Sequence, residues 1–190
     1  MNEIKPNKAE LKFLNHAYAR FFDIYEVIMN DDFFNISEEI RFFYIINIVN
    51  IYSELLTYEP INHFIKYIKE ERPPMEAEIS SELFKFIRNI FAHFPVFKSW
   101  NEVWVDYELI TWSKEDGFIN KFLKKYVGKS EVKYRMWIPN KKKIIYVDIN
   151  FPQEYKDNKI YLKDIINEKN GIIFLCGIMK NVLSSQLENI

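Results

Sequence analysis

The sequence predicts a mainly α fold, a bundle of four to six helices with a small β-hairpin appended in the C-terminal third. Three observations carry this. Apolar residues recur at helical spacing through most of the first 126 positions. The period switches to two between Val132 and Ile149. Prolines, together with Gly128, stand at the joints between these stretches rather than within them. At 190 residues, one domain is the default. It divides into a helical bundle over 1–127, a hairpin insertion over 128–169 and a C-terminal helix over 170–190.

Pro6 to about Asn30 reads as the first helix, with Leu11, Leu14, Tyr18, Phe21, Phe22, Tyr25 and Ile28 in helical register. Asp31 to Ile36 breaks it. Ser37, followed by Glu38 and Glu39, is a helix start, and the helix runs to about Tyr58. It is apolar on most sides, as a central helix is. Pro60 opens a third helix to about Glu71, and Arg72-Pro73-Pro74 stops it. Ser80 then caps a helix that includes Glu82 in its first turn and ends before Pro95. Ser99 to Trp112 carries Trp100, Trp104 and Trp112 and reads as one or two short helical turns. Ser113 to Asp116 resembles a capping box for a helix to about Tyr126, with Gly128 as its C-terminal stop. Val132, Tyr134, Met136 and Ile138 alternate with Lys133, Arg135 and Trp137. The chain turns over Pro139–Lys143, and Ile144 to Ile149 returns. Lys159 to Leu162 is a third strand, and a last helix spans about Asn170 to Leu187.

Composition narrows the function. Hydrophobic residues make up 48% and aromatics 17%, ample for a core and suggestive of a second buried surface between copies of the chain. The net charge of −1 argues against a protein that coats nucleic acid, though not against an enzyme that grips RNA through a local patch. Cys176 is the single cysteine, so neither an intrachain disulfide nor a cysteine-built zinc site is expected. The three histidines have no metal-ligand spacing, and only four glycines leave no phosphate-cradling loop; no metal and no cofactor are expected. With no signal-peptide core near Met1 and no apolar run long enough to span a bilayer, the expectation is a cytoplasmic protein with no membrane partner.

The chemistry concentrates in Arg88-Asn89-Ile90-Phe91-Ala92-His93. At 100° per residue, Leu83, Ile87, Ile90 and Phe94 form one apolar stripe, widened by Phe84 and Phe91 on one side and Phe86 on the other. Lys85, Arg88, Asn89, Ala92 and His93 occupy the opposite arc. Arg88 and His93 diverge by about 140°, too far to touch on one straight helix, so they act across a shared groove or a twofold axis. Most cations here are lysines, and only five of the 26 basic residues are arginine. Arg88 is therefore the less ordinary choice, suited to two-point phosphate contact. His93 offers an imidazole able to move a proton near neutral pH.

Arg88 and Asn89 followed by His93, late in a helix of a small helical protein, resemble the R-x(4–6)-H motif of the HEPN superfamily. The resemblance strictly covers six residues and loosely extends from about Lys8 to Tyr126. It implies a homodimeric, metal-independent endoribonuclease acting as a toxin-like or antiviral-defence effector, with an RNA substrate and in some systems a neutralising antitoxin. Arg88, Asn89 and His93 are then the catalytic residues. The His-x-x-Tyr arrangement of some members does not occur here, because Phe94, Pro95 and Val96 follow His93. Lys85 on the motif helix and Lys141, Lys142 and Lys143 at the hairpin tip are candidate RNA-backbone contacts. The rival reading is a non-catalytic helical interaction or regulatory module, of antitoxin or immunity type, in which the same face binds a protein. His16 with Arg20 reads as a surface pair, and Asp31-Asp32 as a turn.

Overall fold

The computed structural model describes residues 6–59, 70, 74–93, 96–106, 117–129, 132–138, 142–154 and 156–187. Among these, six α-helices and two small antiparallel sheets are present: α1 (Lys8–Met29), α2 (Glu38–Leu55), α3 (Pro74–His93), β1 (Trp104–Asp106), α4 (Phe118–Tyr126), β2 (Val132–Ile138), β3 (Lys143–Ile149), β4 (Lys159–Tyr161), α5 (Leu162–Ile165) and α6 (Glu168–Leu187). The fold is mainly α with a small hairpin, as the periodicity predicts.

Local chemistry sets the boundaries. Asn7 caps α1: its Oδ1 accepts from the backbone N–H of Ala9 and Glu10 at 2.9 and 3.0 Å. The Glu10 carboxylate accepts in return from the Asn7 N–H at 2.7 Å. The break after α1 is a 3₁₀ turn, Asp31–Asn35, and Ser37 caps α2 through the Ile40 N–H. Gly128 adopts φ +80°, a left-handed conformation glycine takes without strain, and its N–H donates to the Pro152 carbonyl at 2.8 Å.

Four expectations are corrected. The motif helix begins at Pro74, not at Ser80. Proline is favoured at the first helical position, where its missing N–H has no intrahelical partner to lose, so Pro74, read as part of the stop after the preceding helix, opens the motif helix. Ser80 is buried within α3, and Glu82 lies in its middle, accepting from the Tyr126 hydroxyl at 2.6 Å and from the Lys125 Nζ at 3.0 and 3.1 Å. In the tryptophan-rich segment a short helical turn is present, 3₁₀ over Trp100–Glu102, but the strand β1 follows it where no strand was expected; Trp112 lies outside the described residues. Finally, β4 does not extend the hairpin: it pairs with β1, Trp104 opposite Tyr161 and Asp106 opposite Lys159. The expected helix from Pro60 to Glu71, the capping box at Ser113 and the tip residues Pro139, Asn140 and Lys141 fall mainly or wholly outside the described residues.

The core lies among α1, α2, α3 and α6. Phe21, Ile45, Ile48, Leu55, Leu83, Ile87, Phe174 and Leu183 have essentially no exposure. Aromatic pairs join the elements. Phe42 of α2 meets Phe91 of α3 edge-on at 5.4 Å, and Phe86 of α3 stacks on Phe122 of α4 at 4.3 Å. Trp100 is fully buried; its indole N–H donates to the Ile166 carbonyl at 3.0 Å, and its ring lies against the Cα of Gly171. Arg41 of α2 is buried and forms a two-point ion pair with Glu168 in the first turn of α6. Its Nη1 also donates to the carbonyls of Phe34 and Ile36, so one guanidinium ties α2, the 3₁₀ turn and α6 together.

Candidate functional site

Helix α3 presents its polar residues as the helical wheel requires. Leu83, Phe84, Phe86, Ile87, Ile90 and Phe91 are buried, Arg88 and Asn89 are half-buried, and Lys85, Ala92 and His93 are exposed. The helix ends at His93, which stands in its last turn. None of the three motif residues points into the core.

The motif splits over two flanks of α3. Arg88 lies one turn beyond Phe84, whose ring meets Tyr52 of α2 edge-on at 5.3 Å. The Arg88 charge reaches the buried Tyr52 hydroxyl: burial drives the Tyr52 pKa upward, and the guanidinium partly offsets it. Lys85, Asn89 and His93 form an i, i+4, i+8 row on the other flank. Lys85 places that row, because its ammonium sits 4.2 Å from the centroid of the Phe118 ring at the start of α4. The divergence of Arg88 and His93 thus follows the packing of α3 between α2 and α4. Among the described residues, no hydrogen bond or ion pair engages the side chains of Arg88, Asn89 or His93.

Sequence reading missed what lies beside Arg88. Tyr18 of α1 and Tyr52 of α2 were read as apolar positions, yet both carry hydroxyls into the interior. Tyr18 is coupled electrostatically to Tyr58, and Tyr52 to Tyr18. Among the described residues the buried hydroxyls of Tyr18 and Tyr58 have no hydrogen-bond partner, and burial pushes the Tyr18 phenol up to about 12. The available signal is tyrosine at helix positions where phenylalanine, abundant in this chain, would fill the same space.

The remaining candidates lie elsewhere. Lys142 and Lys143 are exposed at the hairpin tip, where Lys142 takes φ 44°, and Lys141 lies outside the described residues. His16 and Arg20 are exposed on α1. Cys176 is fully buried, and its thiol is pushed up to about 12 by desolvation, which leaves it unreactive. Among the described residues, no three His, Cys, Asp or Glu side chains gather as a metal site, and no helix is long and apolar enough to cross a membrane.

No protein-family model matches this chain, and no curated protein or solved structure is similar to it at a significant level. The functional reading therefore rests on the residues themselves.

Proposed function

We propose that this chain is a metal-independent endoribonuclease of HEPN type, a defence or toxin-like effector. One observation carries the reading: Arg88, Asn89 and His93 stand on the accessible side of α3, with their polar groups uncommitted among the described residues. An arginine, an amide and an imidazole held ready on a rigid, well-packed helix match the needs of RNA cleavage by internal attack. His93 removes the proton of a ribose 2′-OH, or protonates the departing 5′-oxygen. The 2′-oxygen bonds to phosphorus as the P–O5′ bond breaks. Arg88 neutralises the charge that builds on the phosphate, and Asn89 orients the phosphate or the imidazole. The products are a 2′,3′-cyclic phosphate and a 5′-hydroxyl.

Because the two ends of the motif face different flanks, the complete site draws on a second copy of the chain. A surface suited to that contact exists on α2, where Phe43 is 65% exposed and Ile40, one turn earlier, 51%. The same apolar pair favours the second reading, a non-catalytic interaction module of antitoxin or immunity type. The test is cleavage of single-stranded RNA in EDTA by wild type, Arg88→Ala and His93→Ala. The ribonuclease reading expects activity in the first and none in the variants. Inactive wild type that binds no RNA would favour the interaction module.

A further inference from the structure

The hairpin has two chemically different faces. Strands β2 and β3 pair in register from Val132 opposite Ile149 to Ile138 opposite Lys143. On the inner face, Tyr134, Met136, Val147 and Ile149 are buried. Tyr134 meets Phe174 of α6 edge-on at 5.4 Å, and Met136 fills the space that a side chain at Gly177 would need. The outer face carries Lys133, Arg135 and Trp137 opposite Asp148, Tyr146 and Ile144, all exposed. Trp137 is 52% and Tyr146 62% exposed.

Packing does not explain those two rings. An outward strand position asks only for a residue that tolerates water, and a bare indole and phenol leave apolar area unburied. Their surroundings do suggest an occupant. Arg135 stands directly across from Tyr146, and Trp137 lies diagonal to Tyr146, within reach of large side chains. Lys142 extends the positive charge to the tip, while Lys143, opposite Ile138, falls by alternation on the inner side. Among the described residues of this face and the tip, Lys133, Arg135 and Lys142 stand against one acid, Asp148, in a chain whose net charge is −1. Flat rings interleaved with cations on a sheet surface fit unpaired bases and their phosphates, because every base offers a face for stacking. A second copy is disfavoured, since a twofold contact would set this cationic face against itself. A duplex keeps its bases stacked inside and gives the rings nothing to hold.

We infer that the outer face of the hairpin, Trp137 and Tyr146 with Arg135 and with Lys142 at the tip, is a docking platform for single-stranded RNA. That the strand is RNA rather than DNA rests on the ribonuclease reading. The platform holds the strand by base stacking and backbone contact, with little sequence preference.

The probe is a short fluorescent 2′-O-methyl oligouridine, which lacks the attacking hydroxyl and stays intact. Anisotropy should show binding by wild type, weakened roughly 5- to 150-fold by Trp137→Ala or by Tyr146→Ala. Arg135→Ala should weaken binding and flatten its salt dependence. Trp137→Phe should retain most of the affinity while losing the quench of indole fluorescence that the oligonucleotide causes in wild type. Unchanged thermal unfolding would show that these surface variants keep the fold. Equal affinity in wild type, Trp137→Ala and Tyr146→Ala would overturn the platform, as would variants that only turn a dimer into a monomer. The two proposals fail separately. Arg88- and His93-dependent cleavage with hairpin-independent binding removes the platform alone. Hairpin-dependent binding with no cleavage removes the ribonuclease alone.

Discussion

Arg41 and Glu168 clasp α2 to the start of α6 through two parallel bonds, Nε to Oε1 and Nη2 to Oε2, both 2.8 Å long. Both side chains are largely removed from water, at 9% and 14% exposure. Glu168 also sits where the helix macrodipole favours an anion. Removing one partner strands a desolvated charge, so Arg41→Met or Glu168→Leu should each cost about 3 kcal/mol in urea unfolding. Replacing both together should recover part of that loss. Single variants as stable as wild type would show that water reaches the pair.

Gly171→Ala should destabilise the protein by about 1–3 kcal/mol, because its Cβ would fall 2.2 Å from Cζ2 of the fully buried Trp100. Thermal unfolding is the check. A partial rescue by Trp100→Phe, despite its own packing cost, would show that the clash is with the indole.

Alkaline pH should destabilise the folded protein through groups buried in its core. Cys176 rises from 9.0 to about 12 on folding, and Tyr18 and Tyr25 from 10.0 to about 12, all chiefly through burial. Below pH 9 these groups are neutral in both states, and their contribution is fully present. As pH rises toward 12 the unfolded chain ionises first, and each group costs about 1.4 kcal/mol per pH unit above its unfolded pKa. Stability measured by urea unfolding should therefore fall steeply above pH 9. Cys176→Ala should flatten the decline between pH 9 and 10, and an unchanged slope there would contradict the assignment.

Much of the fold is written in periodicities. The outline of α1, α2 and α6 follows from apolar spacing, and the hairpin from the switch to alternation between Val132 and Ile149. What escaped detection depends on distant partners or on a choice between two meanings of one residue. β1 is three residues long and exists because Ile160 and Tyr161, far along the chain, supply its ladder. Pro74 serves equally as a stop or a start, and only the helix beyond it decides. For the site, the wheel placed Arg88, Asn89 and His93 on the accessible side of α3. It held no information on Tyr52 beside Arg88 or Phe118 beneath Lys85, because those neighbours come from other helices.

A composite site makes a prediction about mixtures. If Arg88 of one copy works with His93 of the other, neither Arg88→Ala nor His93→Ala cleaves RNA alone. Mixed and allowed to exchange subunits, they form heterodimers with one intact site, and about a quarter of wild-type activity should return. Light scattering should show a dimer of the 23.1 kDa chain. No recovery in mixtures that demonstrably exchange would place both residues of a working site in one copy.

Arg88→Lys separates charge from shape. It keeps the cation and loses the planar fork, so cleavage should remain impaired if Arg88 holds phosphate at two points. Full activity would reduce Arg88 to a non-specific cation.

The most direct test of the ribonuclease reading is the chemistry of the cut. Wild type and His93→Ala are incubated side by side with single-stranded RNA in EDTA, and the new ends are analysed. Wild type should leave 2′,3′-cyclic phosphate and 5′-hydroxyl ends, and the folded variant should not cleave. Undiminished cleavage by His93→Ala would contradict that reading.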